Sequence, residues 1–370
     1  MNFAKLKFWI GQQVREFTVH LQRLQPASNL RVVFCVDGPK NGQSSGLRGY
    51  RIAEALRPLG WRSVVIPPQL DLSQRRRILQ AEKPQILVLQ SSRPVLNRPQ
   101  LYPDQLCVYD LDDADFLDPK DEVKQAVLSC AMGSQAAIAG SRYIADFLKQ
   151  YCQQVEVIWT GSQPLQYSQP PIKANPPIVC WACANPHAMH EEASLVRDIM
   201  MRISSHLRCQ FWLIGVQDQS KGQDFVQPIA DRGIPCKVFP FMPYRKLLKT
   251  LEPVSIGLAP LVIEKSPFSA GKSFGKVLAY LNTYTAVVAT DCVEHPLFFS
   301  SGNNGILVST LAEWVEAVEF LLSHPDQMRR MGAKARADYV ARLSTQEAAR
   351  RTDQLLRQLL KARSSCRQLI

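Results

Sequence analysis

The sequence predicts an α/β fold of two doubly wound domains. Short runs of branched apolar residues alternate with helical patterns from Leu30 onward, and a proline-rich break divides the alternation into two halves. Strands spaced by crossover helices form parallel sheets covered on both faces. The 370 residues also suit two domains, at roughly 100–200 residues each.

Residues 1–27 read as a basic amphipathic extension. Phe3, Leu6, Trp9, Ile10, Phe17, Leu21 and Leu24 mix with Lys5, Lys7, Arg15 and Arg23. Such a helix lies either on an anionic membrane or on the protein's own surface. The first domain is expected over 28–165. LRVVFCV (30–36) reads as a strand, followed by the loop 37–46 and a helix ending at Gly60. Strand 61–66, basic helix 72–82 and strand 85–90 come next. Strand 105–111, a helix near 121–131, strand 135–140, a helix capped by Ser141 and strand 155–159 complete the half.

Residues 166–176, within a stretch that has proline but no period, read as the linker. The second domain is expected over 177–344. It opens with strand 177–185 and helix 191–205, then strands 209–215 and 235–241 in direct succession. A short helix 243–250, strand 254–261, helix 271–282, strand 286–290, strand 304–309 and helices 311–322 and 325–342 follow. A last helix and basic tail, 345–370, is expected to cross back to the first domain.

The net charge of +12 points to an anionic ligand or surface. Its distribution is uneven: residues 1–103 carry 16 basic against 5 acidic side chains, and residues 325–370 carry 11 against 4. Nucleic acid is not expected, because no motif interleaves aromatic with basic residues. The 10 cysteines are too sparse for a disulfide scaffold, and many sit in apolar runs as small hydrophobes. Cys180 and Cys183 form C-x-x-C within a strand-like run, not at a helix start, so neither redox nor metal chemistry is assigned. No apolar run reaches transmembrane length.

In doubly wound sheets ligands bind beyond the carboxyl ends of the strands, and between two such domains the cleft is the expected site. Gly46 and Arg48 follow the first strand, where a glycine and a helix start suit phosphate, or form an ordinary turn. YDLDDADFLD (109–118) follows a buried strand. Asp110, Asp112 and Asp113 are candidate catalytic carboxylates, since adjacent carboxylates raise one another's pKa; a solvated turn is the alternative. EKSPFSAGKSFGKV (264–277) places Gly271, Lys272 and Ser273 at an expected helix start. Lys276 follows on the same face, as a diphosphate clamp would require. Glu264 precedes the clamp as a hydrogen-bond acceptor for a sugar or ribose. His187 and His190 stand past the first strand of the second domain, where a cleft ligand would meet them, and Glu294 adjoins His295 after AVVAT.

The run IGLAPLVIEKSPFSAGKSFGKVLAYLNTYTAVVATDCVEHPLF, with NNGILV and EWVEAVEFLLSHPDQMRRMGAKAR, resembles the large retaining glycosyltransferase family 4, or group 1, of GT-B fold. SSGLRGYRIAEALRPLGW, VYDLDDADF and GSRYIADFLKQ resemble its N-terminal half, so the likeness covers about residues 30–345. It implies two Rossmann-like domains facing across a cleft. The implied reaction moves a sugar from a nucleotide sugar to a glycan, lipid-linked or small-molecule acceptor in cell-envelope polysaccharide synthesis, with retention and without metal. The nucleotide sugar is then a substrate, and no cofactor is implied. By the same resemblance Lys272, Ser273 and Lys276 contact the donor diphosphate, Glu264 and Glu294 the donor, and Gly46 and Arg48 the donor phosphate or acceptor. Asp110, Asp112 or Asp113 lies nearest the acceptor hydroxyl. A cytoplasmic protein, peripheral on the inner face of the membrane, is the corresponding location. Three departures stand out: Lys272 occupies the second position of the family's E-x7-E pair, Ala279 replaces the glutamate of K-x-L-E-Y, and WACANPHAMH (181–190) stands where the family has a Gly-Arg loop and a lysine. A GT-B protein that binds but no longer catalyses is the alternative they raise.

Overall fold

The computed structural model describes residues 3–22, 24–42, 44–264 and 267–368. The chain divides into two compact units, one running to Gly161 and resuming at Thr345, the other spanning Ser162–Ser344. The first unit contains α1 (Phe3–Leu21), β1 (Leu30–Cys35), α2 (Arg51–Leu56), β2 (Trp61–Ile66), α3 (Leu72–Glu82), β3 (Ile86–Gln90), β4 (Leu106–Leu111), α4 (Asp121–Gly133), β5 (Ala136–Ala139), α5 (Arg142–Leu148) and β6 (Val155–Val157). Its sheet is parallel throughout, in the order β2-β1-β3-β4-β5-β6. Alternate residues of β1 feed opposite cores, as a two-sided sheet requires. Val32 and Phe34 pack on one face with Ile52 and Leu56, while Val33 and Cys35 pack on the other with Val19 and Ile78.

The second unit contains β7 (Ile178–Ala182), α6 (His190–Arg202), β8 (Gln210–Val216), α7 (Gln219–Ala230), β9 (Cys236–Pro240), α8 (Tyr244–Leu251), β10 (Ile256–Ala259), α9 (Leu278–Asn282), β11 (Ala286–Thr290), α10 (His295–Phe298), β12 (Ile306–Val308), α11 (Leu311–Ser323) and α12 (Pro325–Arg342). The sheet order is β12-β11-β10-β7-β8-β9, again parallel. Counted within the unit, this is the Rossmann order 3-2-1-4-5-6.

The final helix, α13 (Thr345–Gln368), belongs to the first unit. Leu355, Leu356 and Leu359 enter the core beside Phe34 and Ile52, each contributing about 1.5–3 kcal/mol of burial. Trp61 Nε1 donates to Asp353 at 2.7 Å, pinning the helix to β2.

Three elements differ from the sequence reading. Helix α7 fills the gap left between the strands at 209–215 and 235–241. Its polar run and internal Pro228 hide the pattern, but Asp218 caps it by accepting from the Ser220 N–H at 2.9 Å. The expected helix 271–282 shrinks to α9, because Lys272 and Ser273 are irregular and Phe274–Val277, including Gly275, form a bend and a turn. The stretch read as a linker is docked on the second unit: the Ala174 N–H bonds Pro253 O at 3.0 Å, and Lys173 Nζ donates to Thr283 O at 2.7 Å. The side chains of residues 3–10 and all of Arg23, which carry part of the amphipathic extension, lie outside what is described.

Candidate functional site

A doubly wound sheet opens a crevice where its strand order reverses, beyond the carboxyl ends of the two strands concerned. In the first unit that point lies between β1 and β3. Asp37 stands just past β1, Gln90 ends β3 and Asp110 lies near the end of β4. The Asp37 N–H donates to Gln90 Oε1 at 3.4 Å, and Gln90 Nε2 donates to Ser44 Oγ at 3.2 Å.

Arg48 is engaged within the first unit. It is 6% exposed and clasps Asp110, 4% exposed, with Nε at 3.1 and 3.2 Å from the two carboxylate oxygens. Its Nη1 donates to Ile158 O at 2.8 Å and Thr160 Oγ1 at 3.1 Å, while Thr160 Oγ1 donates to Asp112 at 2.8 Å. Burial pushes the Asp110 carboxyl above its ordinary value, with Arg48 pulling the other way. Further along, Arg93 bonds Asp115 at 2.7 Å and Asp118 at 3.2 Å. The acidic stretch is thus largely tied down by two arginines. Gly46 has its N–H on Gly42 O at 3.1 Å, and a Cβ there would sit 2.7 Å from Lys40 O. Its glycine character serves the close fold of this loop.

Asp37 was not singled out by sequence. Its Oδ1 is enclosed and has no hydrogen-bond partner among the described residues. Burial, reinforced by the carboxylates of Asp110, Asp112 and Asp113, raises its pKa to about 6. Such a group can exchange a proton with a hydroxyl near neutrality. A polar residue directly after a buried strand was the available signal. Only strand pairing shows that this strand flanks the reversal.

In the second unit the reversal lies between β7 and β10. After β7 comes the loop from Cys183 to Met189, with a single 3-10 turn over Pro186–Ala188, and then α6. Glu192 in the first turn of α6 is 2% exposed and accepts from the Val262 N–H at 3.3 Å and Ser269 Oγ at 3.4 Å. It thereby ties α6 to the loop that follows β10, a role the sequence did not reveal. Lys276 Nζ lies 3.3 Å from Met189 Sδ. Burial lowers its pKa and Lys272 adds repulsion, while Cys183 and Glu192 favour its charge. A half-buried amine whose hydrogen-bond contact among the described residues is a thioether is well placed to take an anion.

The other expected residues distribute as follows. Lys272 Nζ sits 4.5 Å over the Phe268 ring. Gly271 is buried at the end of a 3-10 turn, and Ser273 is half-buried outside any helix. The helix N-terminus expected at Gly271 is therefore absent, and only side-chain charge remains there. Glu264 is exposed, whereas Glu294 is 2% exposed and precedes α10. Its neighbour His295 is held neutral by burial, its pKa near 4, with Nδ1–H directed at Thr290 O at 2.9 Å. Ala279 is buried. Tyr280, next to it, locks α9 onto β7 by accepting from the Ala182 N–H at 2.6 Å and donating to Cys180 O at 3.0 Å. Among the described residues, no group of three or more His, Cys, Asp or Glu side chains is arranged to hold a metal ion.

Two parallel Rossmann-like domains in one chain, each with its own crevice, define the GT-B fold, and comparison with solved structures shows that fold. The sucrose-phosphate synthase of Thermosynechococcus elongatus is similar at a TM-score of 0.68 and 13% identity, over 90% of this chain and 100% of that one. HepE of Anabaena, solved with UDP and glucose, is similar at a TM-score of 0.63 and 12% identity, over 89% of this chain and 100% of the other. The lipopolysaccharide outer core galactosyltransferase WaaB gives 0.62 at 12% identity, over 88% and 98%. No protein-family model matches the chain, and neither does any curated protein sequence.

Proposed function

We propose that the protein is a glycosyltransferase that moves a sugar from a nucleotide sugar to a glycan, lipid-linked or small-molecule acceptor. The half-buried amine of Lys276 at the strand-order reversal of the second unit carries this reading. There it would bind the donor diphosphate and stabilise charge on the departing phosphate, assisted by Lys272, without a metal. HepE, of the same fold, was solved with UDP and glucose, which supports a nucleotide-sugar donor. Retention, the donor contacts of Ser273, Glu264 and Glu294, and membership of family 4 belong to the same proposal. In the first unit, Asp37 joins Asp110, Asp112 and Asp113 as the group for an acceptor hydroxyl, with Arg48 holding Asp110 in place.

A panel of nucleotide sugars, assayed for release of the nucleoside diphosphate, tests the reading. Lys276→Gln should lower kcat/KM about 100-fold, the scale of losing one charge-stabilising donor. Turnover that survives the substitution undiminished would remove Lys276 from the mechanism. Buried Ala279, where the resembled family has a glutamate, favours a second reading: a GT-B protein that binds nucleotide without transfer. Tight nucleotide binding with no turnover across the panel would establish that one instead.

A peripheral position on an anionic membrane, and work in cell-envelope polysaccharide synthesis, complete the proposal. No described helix is long and apolar enough to cross a membrane. In α1, Glu16 and Val19 are buried, and Glu16 accepts from Arg77 of α3 at 2.8 Å. The side chains of Val14, Phe17 and Leu21 line another face, 58%, 63% and 47% exposed. An apolar stripe beside basic residues suits a lipid headgroup layer. The full chain should pellet with vesicles containing anionic lipid, and Phe17→Asp should abolish most of that. Equal pelleting of both forms would refute the membrane contact.

A further inference from the structure

The turn between β7 and α6 holds two enclosed polar atoms without hydrogen-bond partners among the described residues, Asn185 Oδ1 and His187 Nε2. Buried polar groups are normally paired, so two orphans in one short turn require a cause. Poor construction of the turn is not that cause. Pro186 is buried at its centre, the Ala188 N–H bonds Asn185 O at 3.1 Å, and the Met189 N–H bonds Pro186 O at 3.2 Å. Met189 then runs on to Lys276 Nζ.

The chemistry of the orphans narrows what would satisfy them. Ionised phosphate oxygens accept hydrogen bonds and cannot donate, so Asn185 Oδ1 has nothing to gain from a phosphate. It needs an O–H or N–H group. A neutral His187 Nε2 pairs with a hydroxyl in either tautomer. Lys276, by contrast, suits phosphate. We infer that Asn185 and His187 read the hydroxyl groups of a sugar ring whose phosphates lie toward Lys276. The inference rests on the nucleotide-sugar reading above and adds the residues that confer sugar recognition. Vicinal hydroxyls of this kind occur on the ribose and on the transferred sugar alike.

Calorimetric titration of the full chain with UDP, GDP and ADP, each also as its glucose conjugate and as its 2′-deoxy form, separates these sources. Asn185→Ala and His187→Phe should each weaken the hydroxyl-bearing ligand about tenfold, because a site built to bond a hydroxyl loses that pairing. Loss confined to the glucose conjugates assigns the turn to the transferred sugar. Loss with the ribonucleotides but not their 2′-deoxy forms assigns it to the ribose. Thermal melting should be unchanged in both variants, since among the described residues neither orphaned atom has a protein partner to lose, and a fall of several degrees would mark the residues as structural. Equal weakening of every ligand, or none, while Lys276→Gln weakens all of them, overturns this inference and leaves the function standing. Absence of any binding by the wild type overturns both.

Discussion

Replacing Arg48 by methionine is expected to destabilise the first unit severely, by about 3–5 kcal/mol. The substitution leaves the Asp110 carboxylate buried without its cation, and also strips Ile158 O and Thr160 Oγ1 of a donor. Breaking a buried ion pair from one side costs about 3–5 kcal/mol, a large share of a domain's net stability. Removing both charges should cost much less, because no uncompensated ion remains. Urea denaturation of R48M, D110L and the double variant checks this, and a double variant as unstable as R48M would show that the charge is not the issue. The pH dependence follows by sign. In R48M the folded-state pKa of Asp110, already raised by burial, loses the opposing pull of Arg48 and rises further above its unfolded value, so the folded protein binds the extra proton. Its stability is then better kept at low pH and falls as pH rises through the unfolded pKa, until the folded pKa is passed.

Gly215→Ala should be comparably severe. Gly215 has φ +105° and sits at an irregularity between β8 and β9, against the end of β7. A Cβ there would fall 1.6 Å from Cys183 O. Backbone cannot yield as a side-chain tip can, so both the dihedral and the contact oppose the methyl group. A loss above about 4 kcal/mol is expected, within the range of strained core backbone changes. Because Cys183 opens the loop that leads to Met189 and Lys276, any folded G215A should also bind nucleotide more weakly. Melting within a degree or two of wild type, with binding intact, would mean that the two strands do not approach as closely as this.

Some elements were legible because their causes are local. β2 ends in the branched apolar run Val64–Val65–Ile66, β11 is built on Val287–Val288, and α3 carries an Asp71–Gln74 capping box, with the Gln74 N–H 2.8 Å from Asp71 Oδ1. Ser141 caps α5 for the same kind of reason, accepting from the Ile144 N–H at 3.3 Å. Helix α7 escaped notice because Pro228 and a polar surface obscured its period, although its buried Val226 and Ile229 join the core. The expected helix at Gly271 failed for the opposite reason. Its spacing looked periodic, but two glycines bracket Lys272–Phe274, and the chain turns there before Leu278.

The site divides along the same line. Lys272, Lys276 and the aspartates could be named from the sequence because charged residues beside buried strands are visible in one dimension. Sequence alone also determined the α/β class and the tandem of two doubly wound domains, since these follow from the period of apolar residues along the chain. Only the tertiary structure decided that Arg48 clasps Asp110, 62 residues away. It alone placed Asp37, Asn185 and His187 at the reversals of strand order and left polar atoms of each without partners among the described residues. The physical reason is that burial and hydrogen-bond satisfaction depend on which distant segments meet. A residue's chemistry is written in the chain, but whether that chemistry is used up within the protein or left open to a ligand is settled by packing.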